Sequence, residues 1–143
     1  MTQKTSSKIP PRVMDAIKFA VELDEKGHGD RGIQELLVLV TQYPKLAIVH
    51  SYLAWLLSHR GQFNPAIEHA REAVSIAPCS EKASLVLFHT LWRAGEREPA
   101  LEEAKRFVAN APSKDYEAII KALELKTNEG RASTDSDLPE IGL

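Results

Sequence analysis

His50, His59 and His89 are the side chains of this sequence best suited to chemistry. Imidazole binds metals and moves protons near neutral pH. A metal site, however, needs three or four converging ligands with further contacts behind them. No carboxylate or cysteine stands at clear ligand spacing from these histidines, so surface histidines are the better account and no metal is expected. Cys79 is the one cysteine. A single thiol excludes an intramolecular disulfide and any multi-cysteine zinc site, and a hydrophobic filler role suits its place in a turn. Gly27-His28-Gly29 lacks the Gly-Lys-Ser/Thr continuation of a phosphate loop. Ser–His–Asp sets can be drawn from so many residues that none is informative. No nucleophile, metal or cofactor site stands out in the sequence; the remaining candidates are the two tryptophans, Trp55 and Trp92, a residue type enriched where binding energy concentrates.

What must position these side chains is a repeat. Proline recurs at Pro44, Pro78 and Pro112, a spacing of 34 (78 − 44 = 34, 112 − 78 = 34). Glycine keeps the same beat at Gly27, Gly61 and Gly95. A fixed period of that size marks stacked supersecondary units, set here at residues 13–46, 47–80 and 81–114. Equivalent positions agree in type. Phe19, Leu53 and Leu87 form one apolar column; Leu23, Leu57 and Leu91 another. Ile33, Ile67 and Leu101 form a third, Leu36, Ala70 and Ala104 a fourth, and Leu39, Ala73 and Phe107 a fifth. Small residues occupy Ala20 and Ala54, and then Gly32, Ala66 and Ala100, where two helices would cross closely. Phe88 interrupts the small column in the third unit.

Within a unit the spacing is helical. His50, Leu53, Ala54 and Leu57 fall at i, i+3, i+4, i+7 and share one helix face. Ala66, Ala70, Ala73 and Val74 do so on a second helix. The periodic glycine suits the left-handed backbone that closes the first helix. Asn64 is placed to cap the second, with Pro65 in its first turn, and the periodic proline ends it. Each unit is thus expected to be a helical hairpin. Ser113 is a plausible N-cap for a seventh, capping helix over 115–126, with Tyr116, Ile119, Ile120, Leu123 and Leu125 at apolar spacing. Composition turns to Thr, Asn, Gly, Ser and Asp from Thr127, so 127–143 reads as a disordered tail. Its end, Leu138-Pro139-Glu140-Ile141-Gly142-Leu143, has the form of a short docking motif, although an unstructured tail is the commoner case for such a segment. Residues 1–12 read as a flexible lead whose Pro10-Pro11 starts the first helix.

The pattern resembles the tetratricopeptide repeat (TPR) family. The second unit carries His50-x-x-Leu53-Ala54-x-x-Leu57, then Ala66-x-x-x-Ala70, Ala73 and Pro78. The family's usual Trp, Gly, Tyr and Phe are replaced by His50, Ala54, Leu57 and Ala70. The first unit fits least, with Gly32 where alanine is usual. The resemblance covers about residues 13–126. It implies an all-α fold, a right-handed TPR solenoid of three helical hairpins plus a C-terminal capping helix, whose first helices line a concave groove. Carried over position by position, the groove side holds Met14, Ile17, Val21, Asp24 and Glu25. It then holds Ile48, Ser51, Trp55, Ser58 and His59, and finally Lys82, Leu85, His89, Trp92 and Arg93. Neither tryptophan falls in a hairpin-packing column. Two readings stand: an apolar peptide or helix held across Trp55 and Trp92, or two rings packing along the inside of the superhelix. The partner-binding set is accordingly Ile17, Val21, Ile48, Trp55, His59, Lys82, Leu85, His89, Trp92 and Arg93. Asp24 and Glu25 at one end and Lys82 and Arg93 at the other would orient a charged ligand, or be ordinary solvated charge. The family's carboxylate clamp for chaperone C-termini maps onto Ile17, Val21, Tyr52, Lys82 and Val86. Only Lys82 fits, which argues against that ligand class.

Composition sets the outer limits. Net charge is −2, from 18 basic and 20 acidic residues, which gives no footprint for nucleic acid or an anionic membrane. No apolar run approaches the ~20 residues that span a bilayer, and the polar N-terminus lacks a signal-peptide core, so a cytoplasmic setting is expected. The expected function is non-catalytic protein or peptide binding, in general adaptor form. Alternatives are a secretion-type chaperone, a toxin-neutralising immunity protein, or a self-associating structural protein forming a homodimer. An enzyme would need a separate domain, and the segments outside the repeats are too short for one.

Overall fold

A computed structural model describes residues 8–128. These residues are all-helical, with α1 (Pro11–Glu25), α2 (Gly29–Gln42), α3 (Ala47–His59), α4 (Phe63–Ile76), α5 (Glu81–Arg93), α6 (Arg97–Val108) and α7 (Lys114–Asn128) in chain order. Helices pack as the neighbours α1/α2, α3/α4 and α5/α6, and each pair meets the next through α2/α3 and α4/α5. Contacts also run directly from α1 to α3 and from α3 to α5. The odd-numbered helices therefore form a row of their own.

The glycine beat sets the turns. Gly27, Gly61 and Gly95 have φ of 90°, 75° and 87°, a region that disfavours any side chain. Each allows the same pair of closing bonds. The N–H groups of His28, Gln62 and Glu96 reach back to the carbonyls of Leu23, Leu57 and Leu91 at 2.7, 3.0 and 2.9 Å. The glycine N–H groups donate to Asp24, Ser58 and Trp92 at 3.1, 3.0 and 3.0 Å. This is the Schellman arrangement, and it satisfies carbonyls that a helix end otherwise leaves open. It also moves the start of the next helix. Residue Gln62 is already extended out of the turn, so α4 begins at Phe63 with Gln62 as N-cap and no side-chain cap bond. Asn64 thus lies inside the first turn and is not the cap expected from the sequence. Side-chain caps occur instead at the starts of α5 and α7, and not at α1 or α3. Ser80 Oγ accepts from the Ala83 N–H at 3.1 Å, and Ser113 Oγ from the Tyr116 N–H at 3.1 Å.

The small column does what its residue types suggest. Ala20, Ala54, Ala66 and Ala100 are fully buried. At Gly32 a Cβ would stand 2.6 Å from the Ala20 carbonyl oxygen, so α1 and α2 cross more closely than alanine permits. Phe88, the exception in that column, is 1% exposed and faces inward. Its ring stacks on Trp92 and meets Tyr116 of α7 edge-on, with centroids 5.7 and 5.6 Å apart. The capping helix makes the room that Phe88 fills.

Two apolar clusters hold the chain together. One joins Val13, Ile17 and Ala20 of α1 to Leu36, Leu53 and Leu56. The other joins Val86, Phe88 and Leu91 of α5 to Ala104, Phe107, Tyr116 and Ile119. Phe19 departs from its column. Leu53 and Leu87 are 0% and 3% exposed, whereas Phe19 is 42% exposed beneath the Arg31 guanidinium. In the later units the preceding helix pair covers this position; α1 has no preceding helix among the described residues. Thr127 and Asn128, expected to open the disordered tail, are instead the last residues of α7. The rest of the tail, 129–143, and the first seven residues of the lead lie outside the described residues.

His50 and His69 join α3 to α4. His50 Nε2 donates to the Pro44 carbonyl at 2.9 Å, which leaves Nδ1 to accept from His69 Nδ1 at 3.1 Å. Burial lowers the His69 pKa, and the His50 imidazole lowers it further, against the raising pull of Glu68 and Glu72. An unfolded histidine takes up its proton near pH 6.5, while folded His69 resists it. Stability from this site is therefore complete above about pH 6.5 and is lost as pH falls below it. The thermal midpoint, followed calorimetrically from pH 7 down to pH 5, should fall less steeply for His69→Gln, which keeps a donor for His50 but cannot charge.

Candidate functional site: a cleft across the first helices of three hairpins

The odd-numbered helices run parallel, as their cross-contacts climb in step. Asp24 of α1 meets His59 of α3 at 3.0 Å. From α3 to α5, Tyr52 lies under Lys82 at 5.7 Å, Trp55 beside His89 at 5.8 Å, and Ser58 accepts from Arg93 at 3.2 Å. One face of this row forms a cleft of about 660 Å³ lined by Met14, Ile17, Lys18, Val21, Glu22, Glu25, Tyr52, Trp55 and Lys82. Its size suits a few side chains of a peptide.

Helical spacing explains the lining. Met14, Ile17, Lys18, Val21, Glu22 and Glu25 follow i, i+3, i+4, i+7, i+8, i+11, a single stripe of α1. Tyr52 and Trp55 are one such step on α3. Ile17 is nearly buried and gives the floor, while Trp55 and Val21 are half-buried walls. Lys82 is exposed at the rim, its ammonium over the Tyr52 ring. Charge is sorted along the helix axes. Lys82 lies at the N-terminal end of α5 and Lys18 at the middle of α1, with Glu22 and Glu25 toward the C-terminal end of α1. The chemistry on offer is apolar burial beside an aromatic ring, with carboxylates at one end and cations at the middle and the other end.

Four of the expected partner-binding set, Ile17, Val21, Trp55 and Lys82, line this cleft together, with Met14 and Glu25 of the wider groove side. His59 and His89 hold Trp55 in place, their ring centroids 4.8 and 5.8 Å from it. Ile48 is half-buried and packs on the first apolar cluster, and Leu85 is buried in the second. Arg93 is engaged with Ser58. Trp92 lies elsewhere: it is 3% exposed, stacked between Phe88 and the Arg97 guanidinium, which sits 4.2 Å from its ring centroid. For Trp92 the packing alternative is the one the structure shows. Lys18 and Glu22 were not singled out by sequence. The repeat offered a signal for Lys18, since 52 − 34 = 18 puts it in the column of Tyr52.

A second cavity of about 520 Å³ lies between α2 and α4, lined by Asp30, Arg31, Ile33, Gln34, Leu37, Leu57, Gln62, Pro65 and His69. It carries neither tryptophan nor tyrosine, and charged or amide side chains occupy much of its lining. Among the described residues no group of three His, Cys, Asp or Glu converges to hold a metal. Also among them, no helix is long and apolar enough to cross a membrane. No protein-family model matches the chain, and no curated protein matches its sequence.

Proposed function

We propose that this chain is a non-catalytic binding module that holds an apolar peptide or a segment of a partner protein in the α1–α3–α5 cleft. The reading includes a right-handed TPR-type solenoid of three hairpins closed by α7, working in the cytoplasm as an adaptor. What supports the architecture is the 34-residue recurrence of one turn, with its positive-φ glycine and paired closing bonds. The observation that carries the function is the cleft itself: an apolar floor and a half-exposed tryptophan on parallel helices. Tryptophan anchors in such places commonly carry ~2 kcal/mol or more of binding energy.

The test starts from peptides selected on the full chain from a random display library. Trp55→Ala should weaken the selected peptides by ~30-fold, equivalent to about 2 kcal/mol. Far-UV circular dichroism should be unchanged, since the ring is half-exposed and outside the main clusters' interiors. Equal affinity for both chains, or a selection that yields no binder, rejects the cleft as a binding site. Trp92 is unsuitable for the same experiment because its removal would disturb packing directly.

A further inference from the structure

We propose that the cavity between α2 and α4 is a second binding site, which takes a tyrosine side chain of a partner polypeptide and accepts its hydroxyl hydrogen at His69 Nε2. Its lining shares no residue with the α1–α3–α5 cleft, and it does not depend on the reading given for that cleft.

A chain of hydrogen bonds sets the acceptor. A carbonyl only accepts, so neutral His50 carries its proton on Nε2, which donates to the Pro44 carbonyl at 2.9 Å. His50 Nδ1 is then a lone pair, and its 3.1 Å contact with His69 Nδ1 requires the His69 proton to be there. A neutral imidazole has one N–H, so His69 Nε2 is left as a bare acceptor. It has no protein partner among the described residues, and His69 is half-buried at the wall of the cavity.

The same cross-helix pair recurs one unit further on. Ser84 and Glu103 stand 34 residues beyond His50 and His69 (84 − 50 = 34, 103 − 69 = 34) and are bonded at 2.7 Å. There the chain completes the acceptor itself, with Arg106 donating to Glu103 at 2.9 and 2.7 Å. The position equivalent to Arg106 in the second unit is Glu72 (106 − 34 = 72), a carboxylate with no hydrogen to give. The donor for His69 has to come from a ligand.

The lining selects which donor. Ile33 and Leu57 are buried and make an apolar floor, with Leu37 and Pro65 exposed at the rim. A carboxylate would set its lone pairs against that of Nε2. An ammonium would meet Arg31, the lining charge that remains once Asp30 pairs with Arg60 at 3.0 Å. An indole N–H donates but accepts nothing. A phenol hydroxyl does both: it gives its hydrogen to Nε2, and its oxygen can accept from the amides of Gln34 or Gln62. Its ring covers the floor and can face the Arg31 guanidinium. The rim points to a polypeptide as the source. Small ligands are usually enclosed over roughly 70–90% of their surface, whereas here Leu37 is 37% exposed and its neighbour Val38 57% exposed. That apolar rim suits residues flanking a tyrosine.

The probes are N-acetyl-tyrosinamide and N-acetyl-phenylalaninamide, titrated against the isotope-labelled full chain at about pH 8, where an unperturbed imidazole is neutral. Backbone amide signals of α2 and α4 around Leu37 and His69 should shift with the tyrosine probe, while those of α1 around Val21 stay still. The phenylalanine probe, the same ring without the hydroxyl, should bind at least ~5-fold more weakly, the worth of one such hydrogen bond. Long-range proton–nitrogen spectra should place the His69 proton on Nδ1 and the His50 proton on Nε2. His69→Leu should erase the difference between the two probes. Equal affinity of both probes for the unmodified chain overturns the proposal without any variant having to fold. A His69 proton on Nε2 overturns it too, as does an undiminished difference in His69→Leu or tighter binding by N-acetyl-tryptophanamide. Binding of p-cresol without N-acetyl-tyrosinamide would assign the site to a small phenol and remove the polypeptide. Shifts confined to α1 would send the tyrosine to the other cleft, so that this inference falls while the binding reading stands. No shift with any probe also ends it, whatever library peptides do at Trp55.

Discussion

Phe88→Ala is expected to lower the unfolding free energy by ~3–5 kcal/mol, the usual cost of emptying an aromatic site in a core. The ring is 1% exposed and touches both Trp92 of its own helix and Tyr116 of α7. Its removal leaves a cavity between α5 and α7, and a helix pair pinned by the other buried rings cannot collapse fully into it. For a chain of this size each kcal/mol shifts the midpoint by a few degrees, so calorimetry should show a drop of about 10–20 °C. Phe88→Leu keeps most of the volume and should cost much less, under ~1.5 kcal/mol. A loss below ~1 kcal/mol for the alanine variant would instead mark a ring that is not packed between α5 and α7.

The same residue shows what could be read before the fold was known. Glycine at 27, 61 and 95 demanded a left-handed turn in each unit, and the turns have it, because positive φ is a local property of one residue. Columns such as Leu36, Ala70 and Ala104 are buried as their types required. Helical periodicity identifies a face; it does not say what covers it. Phe19 shares a column with Leu53 and Leu87 yet is exposed, because burial at that position depends on a preceding hairpin. Trp92 shares the groove-side register with Trp55, but Phe88 and Arg97 cover it, contacts set by the larger residue in the small column and by the next helix. Polar pairs were the least legible. His50 and His69, or Ser84 and Glu103, are each 19 residues apart on different helices, a separation that matches no helical or strand period. In the cleft, the α1 members lie on one helix stripe that spacing makes legible, whereas their meeting with Tyr52, Trp55 and Lys82 emerges only when α1, α3 and α5 lie side by side.

Arg106→Leu should cost nearly as much as the aromatic deletion, through charge in place of volume. Glu103 is 8% exposed and accepts from Arg106 Nε at 2.9 Å and Nη2 at 2.7 Å. Ser84 Oγ donates to the same carboxylate at 2.7 Å and accepts from the Tyr116 hydroxyl at 2.7 Å. The chain of bonds runs from α7 through α5 to α6, and each group has one role to play: phenol donating, hydroxyl relaying, carboxylate accepting. Burial is the main reason that the Tyr116 pKa is pushed far above the usual phenol value, which keeps that donor in place. Arg106 is held charged by its bonds to Glu103. Removing the guanidinium leaves the carboxylate with a single hydroxyl partner, and an uncompensated buried charge costs ~3–5 kcal/mol. The Arg106 side chain is 36% exposed, so water recovers part of that and about 3 kcal/mol is the better expectation. The diagnostic is the double variant. Glu103→Leu with Arg106→Leu removes the stranded charge and should recover most of the loss, because a buried ion pair and an apolar pair of similar volume often differ little. Urea unfolding of both single variants and the double gives the coupling directly. Near-additive losses, each under ~1 kcal/mol, would mean that the pair behaves as solvent-screened surface charge. Hydrogen exchange adds a spatial readout. Amides of α7 should lose protection in Arg106→Leu before those of α1, because Tyr116 reaches Glu103 only through Ser84.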